Sequence, residues 1–238
     1  MFIAIDIGNT RLKAAFFKEG LAEDFLVLPA DTHVDEFVVG IKRWLSFSNK
    51  VEALASCSGH WPNAMPKEVK RITTASNWPL EMHYETPQTL GLDRLLLANA
   101  TWLEFKRDLL VVTMGTCITY NIVKNGAFKG GAISPGLQMR FHALNEYTSA
   151  LPLVEGDSEA PILGKSTSGS IQAGVNVAIA KEVGGMIAQF CREFDLQMAV
   201  ICGGDRNALR NHLKKHIFAP SNYELHALKR IHEYFKNQ

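Results

Sequence analysis

The sequence predicts an α/β protein built of two related halves, and three observations carry that prediction. First, two stretches share one pattern: AIDIGNTRLKAAFFKEG, from Ala4 to Gly20, and VVTMGTCITYNIVKNG, from Val111 to Gly126. Each is an apolar run that breaks at a Gly with a Thr close by, resumes as a second apolar run, and ends in a Gly turn. Gly8 to Gly20 spans 12 positions and Gly115 to Gly126 spans 11. Second, each stretch is followed by a third apolar run and then by alternating helix-period and strand-length segments. Third, hydrophobic residues make up 47% of the 238 residues and charged residues 21%, enough apolar surface for one large or two small packed cores. A strand–Gly turn–strand unit presents backbone N–H groups and hydroxyls at its bend, where a phosphate can sit. Two such units point to two related domains facing one another across a nucleotide.

The elements follow in order. Residues 2–8 and 12–17 read as a hairpin, with a third strand at 25–28. Residues 34–47 have helical spacing, with Phe37, Ile41, Trp44 and Leu45 on one face. A short buried strand is expected at 51–56, a helix near 62–70, a strand at 82–84 and a strong helix over 91–105. The order then restarts. Strands are expected at 109–113, 117–123 and 127–133, and a helix from about 137 to 147. Ile171, Val175, Ala178, Ile179, Val183, Met186, Ile187 and Phe190 form a continuous stripe, which predicts one long helix over 168–194. A strand at 198–202 and two helices, near 206–215 and 225–235, close the chain. The domain boundary is expected inside FKRDLL, near 103–110, giving an N-terminal domain of 1–106 and a C-terminal domain of 107–238.

The net charge of +1 offers no global field for nucleic acid or a membrane surface. Lys214, Lys215, Lys229 and Arg230 read as a solvated helix face. Cys57, Cys117, Cys191 and Cys202 form no CxxC pair and no zinc-finger spacing, as expected of free thiols in a reducing cytosol. No signal-peptide pattern and no bilayer-length apolar run is found, so a cytoplasmic location is expected. His212 and His216 are four apart, but lysines fill the gap and the Glu of a zinc helix is missing, so both read as surface histidines.

Several residues carry candidate chemistry. Asp6 ends the first strand, where a carboxylate can hold Mg²⁺ directly or through water. Gly8 lets a backbone approach a phosphate, Asn9 and Thr10 add donors, and Lys13 offers a point charge. The same residues also suit a tight hairpin with an Asx turn. The echo at Gly115, Thr116 and Thr119 favours the phosphate reading. Gly91-Leu92-Asp93-Arg94 opens a helix. Asp93 there reads either as a charge that suits the helix dipole or as a general base. Arg94 is out of place at a positive helix end unless it meets an anion, either Asp93 or a ligand. Residues 130–136, GGAISPG, form a strand-to-helix loop or a backbone cradle beside a ligand. Thr167 is either an N-cap or a hydroxyl aimed into a cleft. CGGD, from Cys202 to Asp205, ends a strand in a turn of the kind that lies beside a base or ribose.

The order of these motifs is specific. DIGNT, GLDR, the second Gly-Thr motif, GGAISPG, ALP, GKSTSGSIQAG and CGGD together resemble the type III pantothenate kinases, essentially end to end. The resemblance implies the actin-like ATPase superfamily of acetate and sugar kinases. That means two RNase H-like domains, each a mixed sheet flanked by helices. It implies transfer of the ATP γ-phosphate to pantothenate, the first step towards coenzyme A, with Mg²⁺, a monovalent cation (K⁺ or NH₄⁺), and a homodimer. It assigns Asp6 to Mg²⁺, and Gly8, Asn9, Thr10 and Lys13 to the phosphates. Gly115, Thr116 and Thr119 match the second phosphate loop. Asp93 matches the base for the pantothenate hydroxyl, with Gly91, Arg94, Tyr84 and Thr167 in the pantothenate pocket and Thr167 supplied across the dimer. The family usually carries Asp where this chain has Thr113, at the monovalent-cation position, and often Asp where it has Asn121. Two rivals remain: another kinase or phosphatase of the same superfamily acting on a different small hydroxylated substrate, and a non-catalytic regulatory relative. Loss of the Asp at position 113 fits the second; retention of Asp6, Asp93 and Arg94 argues against it.

Overall fold

The structure, a computed structural model, describes residues 1–157, 160–209, 213 and 216–238. The chain packs into two compact units: Met1–Lys106 with Asn222–Gln238, and Arg107–Ser221. Each contains a mixed sheet flanked by helices, as the sequence leads one to expect.

The first unit holds β1 (Phe2–Ile7), β2 (Arg11–Lys18), β3 (Leu21–Pro29), helix α1 (Val34–Leu45), β4 (Glu52–Cys57) and β5 (Val69–Arg71). It also contains a two-residue strand β6 (Glu81–Met82) and helix α2 (Leu92–Phe105). Sheet order is β3-β2-β1-β4-β5. The hairpin strands are antiparallel, and β4 and β5 run parallel to β1. A central strand covered on both faces must be apolar on both, and β1 is nearly so. Its odd residues Ile3, Ile5 and Ile7 join Leu12, Ala14 and Phe16 of β2 in a core with Phe37, Val38, Ile41 and Trp44 of α1. Its even residues lie on the opposite face with Lys13, Ala15 and Phe17. There Phe2 stacks on His232 at 4.3 Å and Phe17 meets His226 edge-on at 5.5 Å, both from helix α6 (Tyr223–Lys236).

The second unit repeats this plan with β7 (Leu109–Met114), β8 (Cys117–Lys124), β9 (Ala127–Pro135), α3 (Leu137–Glu146), α4 (Thr167–Gln172), α5 (Ala178–Glu193), β10 (Met198–Cys202) and β11 (Ile217–Phe218). Its strands run in the order β11-β10-β7-β8-β9, the same arrangement with the same strand directions. The correspondence extends to detail. Both hairpins carry a register shift at matching points, between Phe16 and Phe17 and between Ile122 and Val123. Both close through two left-handed residues, Glu19-Gly20 (φ 50° and 86°) and Asn125-Gly126 (φ 53° and 71°), the backbone that a two-residue hairpin turn requires. β1 and β2 are joined by Gly8, Asn9 and Thr10, whereas β7 and β8 are joined by Gly115 and Thr116 alone. That missing residue accounts for the one-position difference between the two motifs.

Five expectations are corrected. The last helix, placed with residues 107–238 by sequence, packs instead on the first unit, because Tyr223, Leu225, Leu228 and Ile231 bury one of its faces and α6 lies against α2 and β1. The helix expected near 62–70 does not form; Pro62 and Pro66 start successive turns closed by Met65 and Val69 N–H groups, and β5 follows from Val69. The strand expected at 82–84 is only β6. The long helix is broken by a π turn at Ala173–Val177. Ile171, Val175, Ile179, Val183 and Ile187 repeat at strict four-residue intervals and all join one core. A straight α-helix would rotate such a row by about 40° per step, and one wider turn takes up part of that drift. The helix expected near 206–215 is a 3₁₀ turn at Gly204–Leu209. Its remainder lies mostly outside the described residues, as do His212, Lys214 and Lys215.

Candidate active site

Asp6 stands at the carboxyl end of β1, and the sheet register chooses its neighbours. β2 sets Lys13 opposite it and β4 sets Ser56 opposite it. The Ser56 hydroxyl donates to Asp6 Oδ1 at 2.6 Å. The Lys13 ammonium, on the same face, pairs with Glu224 from the first turn of α6. Burial, the first cause, pushes the Asp6 carboxyl up to about 7, and the charge of Glu224 and, more weakly, of Asp93 add to it; Ser56 and Lys13 pull the other way. Asp6, Lys13, Ser56, Glu224 and Asp93 therefore share one electrostatic neighbourhood in the first unit.

The adjoining turn is built by close backbone packing. Gly8 N–H donates to Arg11 O at 3.0 Å, and Ser58 and Gly59 N–H groups both donate to Ile7 O. A Cβ at Gly59 would lie 2.5 Å from Gly8 O, so only glycine permits this approach. Asn9 and Thr10 are exposed at the tip.

GLDR caps and opens α2. Gly91 is the N-cap residue, and a Cβ there would lie 2.7 Å from the Asp93 carboxylate. Asp93 sits in the first turn, where the dipole favours it, and remains partly exposed. Arg94 is buried, and its guanidinium lies 5.8 Å from the centre of the Tyr84 ring. Tyr84 and Arg94, ten positions apart, are thus brought together.

The second unit presents the counterpart of the Asp6 cluster, without its charges. Thr113 stands where Asp6 stands, opposite Thr119 on β8 and Cys202 on β10. Thr113 Oγ1 lies 3.4 Å from Cys202 Sγ, and the Asn121 amide donates to Thr119 Oγ1 at 3.1 Å. Gly115 carries the turn, with open space where its Cβ would be. Gly136, the last glycine of GGAISPG, packs on that turn: its N–H donates to Thr116 O, and a Cβ would lie 2.1 Å from Gly115 O. Gly203 of CGGD adopts φ 97°, with Met114 O 2.1 Å from any Cβ. Arg206 ties this turn down by donating to Gly203 O, Ala219 O and Ser221 Oγ.

Thr167 is not the N-cap of its helix. Ser166 is, accepting from Gly169 N–H at 3.1 Å, and Thr167 is the first helical residue. It lines a cavity of about 900 Å³ with Leu144, Tyr147, Leu151, Ile171 and Val175, which favours the cleft reading. Ser56 and Glu224 were missed by sequence reasoning. Ser56 had a signal, as the only hydroxyl in the apolar run of β4; Glu224 had none.

The family model and the curated relatives agree on one family. Residues 2–189 match the family model described as type III pantothenate kinase. The type III pantothenate kinase of Flavobacterium johnsoniae is 33% identical over 98% of both chains. This chain belongs to the type III pantothenate kinase family. Its fold is that of the actin-like ATPases and sugar kinases. A ROK family glucokinase from Streptomyces griseus, solved with glucose and AMPPNP, superposes with a TM-score of 0.54 at 14% identity over 96% of this chain and 98% of that one. Component A of the Acidaminococcus fermentans (R)-2-hydroxyglutaryl-CoA dehydratase gives a TM-score of 0.56 at 15% identity over 99% and 98%.

The Asp6 environment has a measurable consequence for this pantothenate kinase family member. An acid whose pKa is raised on folding contributes stability below its unfolded value, near 3.8, and loses it as pH rises through about 7. Asp6→Asn removes that loss. The variant should match wild type near pH 4 and exceed it at pH 8 by roughly 1–4 kcal/mol, read from urea unfolding at the two pH values. Parallel pH profiles of stability would show that the carboxyl is well solvated instead.

Proposed function

We propose that this chain is an ATP-dependent pantothenate kinase that forms 4′-phosphopantothenate, the first step of coenzyme A biosynthesis, in the cytoplasm. The observation that carries the reading is the placement of Asp6 and Asp93, from β1 and α2, in one electrostatic neighbourhood; Arg94, next to Asp93 in the first turn of α2, lies over the Tyr84 ring at 5.8 Å from its centre. Family membership supplies the substrate pair.

In-line phosphoryl transfer depends on positioning and on neutralising phosphate charge. Lys13 gives a point charge to a phosphate oxygen, and Gly8, Asn9 and Thr10, with Gly115, Thr116 and Thr119, offer donors to the rest. Asp93 accepts the proton of the attacking pantothenate hydroxyl. Arg94 meets the pantothenate carboxylate, with Gly91, Tyr84 and Thr167 shaping the pocket. The residues also suit Mg²⁺. Among the described residues no three His, Cys, Asp or Glu side chains are grouped to enclose a metal. Magnesium needs no such cage, since it keeps several waters and uses one or two carboxylates plus substrate phosphates. Three carboxylates against one ammonium leave negative charge around Asp6 that a cation would offset. Asp6 would hold the ion, directly or through water, and the ion when bound would neutralise phosphate charge.

A homodimer is part of the same proposal. The cavity lined by Thr167 is apolar, and Tyr147 beside it is 80% exposed, as are Ile162 and Leu163 elsewhere in the unit at 81% and 69%. Such surface marks an association site. Tyr147→Glu should convert a species of twice the chain mass into single chains in sedimentation equilibrium. Wild type that sediments as single chains with full activity would exclude the dimer.

Asp93→Asn should lower kcat by roughly 10²–10⁴-fold, the usual cost of losing a general base, with little change in thermal unfolding. Near-normal turnover in a coupled ATP-consumption assay with pantothenate would leave Asp93 as a helix-dipole partner only.

Thr113 makes a second assay informative. A neutral hydroxyl in place of a carboxylate within ~4 Å of a monovalent ion removes about 1 kcal/mol or more of attraction even at high effective dielectric. The enzyme should therefore respond to K⁺ weakly or not at all, and Thr113→Asp should shift half-activation to lower K⁺. The measurement is a K⁺ titration at constant ionic strength. Tight K⁺ activation of wild type, unchanged in the variant, would place the ion elsewhere.

A further inference from the structure

The Lys13–Glu224 pair is a contact of the Asp6 cluster to which phosphoryl transfer gives no task. Lys13 leaves β2 on the face it shares with Asp6, and its ammonium meets Glu224 Oε1 with both side chains largely covered, at 18% and 14% exposure. The two partners differ in freedom. Glu224 is fixed from both sides: Tyr223 is buried and its hydroxyl donates to Glu104 Oε2 at 2.5 Å, and Leu225 is fully buried. Lys13 carries its charge on a flexible four-carbon stem. The helix dipole alone accounts for an acid in the first turn of α6, so the dipole does not require the lysine. A covered ion pair also returns little net stability. What the pair does achieve is to hold a mobile ammonium beside Asp6 while keeping it from being buried alone.

We infer that Glu224 is a positioning residue for Lys13, holding its ammonium beside Asp6 until a phosphate oxygen of the nucleotide takes the carboxylate's place. The inference rests on the reading of Lys13 as a phosphate contact. It gives the exchange a cost, because binding breaks the pair and leaves Glu224 near a polyanion. Removing Glu224 therefore tightens nucleotide binding. Removing Lys13 costs more when Glu224 is already gone, because no pair then offsets its gain on the phosphate.

The test is a double-mutant cycle read by titration calorimetry with Mg²⁺ and AMPPNP, with adenosine as control ligand. The chains are wild type, Lys13→Met, Glu224→Gln and the double variant. Glu224→Gln should bind AMPPNP more tightly than wild type. Lys13→Met should weaken binding in both backgrounds, with a loss about fivefold or more larger in the Glu224→Gln background. Adenosine affinity should be the same in all four. An equal Lys13→Met loss in both backgrounds overturns the inference and leaves the nucleotide reading intact. No loss in either background overturns both the inference and Lys13 as a phosphate contact. No AMPPNP binding by wild type removes the nucleotide reading itself. Should Glu224→Gln lose cooperative thermal unfolding, Glu224→Asp takes its place. It keeps the charge but shortens the reach, so it should still enlarge the Lys13→Met loss and should not alter AMPPNP affinity once Lys13 is Met.

Discussion

A carboxyl group desolvated at the end of a central strand sets the terms for the rest of the first unit. Burial there makes ionising Asp6 costly, and the groups that offset part of that cost come from the sheet itself. β1 lies between β2 and β4, so the residues level with Asp6 on either side are fixed by register as Lys13 and Ser56. One supplies an ammonium, the other a hydroxyl at 2.6 Å. A slip of one residue in either pairing would turn these side chains to the opposite face and present apolar neighbours instead. The buried isoleucines of β1 oppose that slip, because they would have to leave the α1 core. Packing on one face thus protects the chemistry on the other.

The second unit shows what the same frame becomes when the charge is withdrawn. Thr113, Thr119 and Cys202 occupy the positions of Asp6, Lys13 and Ser56. Acid and base are absent together. This is the physically consistent outcome, since a covered acid without its cation, or a covered ammonium without its acid, is costly. A neutral cluster of hydroxyl, hydroxyl and thiol needs no compensating partner. It still offers donors beside the Gly115 turn. The two halves share a fold and divide its chemistry: one turn lies beside charge and the other beside neutral hydrogen-bonding groups.

Much of this was legible in the sequence because it rests on local rules. The hairpins, the helices over 34–45 and 92–105, and the strand at Met198–Cys202 follow from apolar period and Gly turns. The duplication is legible in the two Gly-turn motifs alone. Tyr84 and Arg94 were paired by a resemblance, and the structure brings their side chains together. What could not be read were the consequences of long-range packing. Nothing near residue 222 says that α6 returns to the first unit; its amphipathic face would suit either sheet. The π turn answers a core that demands strict four-residue spacing, a demand visible only once the sheet beneath is known. Glu224 escaped notice because an acid in a first turn is ordinary, and its partner lies 211 positions away.

The return of α6 also changes what the first unit is. The face of β1 that carries Phe2, Ala4 and Asp6 is covered by a helix made of the last residues of the chain. Without that cover, Phe2 and Phe17 lose His232 and His226 as neighbours, and the Asp6 carboxyl loses the Glu224 charge that helps raise its pKa. Residues 1–106 hold every strand of the first sheet, yet they do not by themselves hold the environment of Asp6. The second unit is an insertion between α2 and the helix that completes the first. Assembly of the candidate site is therefore tied to completion of the whole chain, and a fragment ending at the apparent domain boundary would carry the motif without its electrostatics.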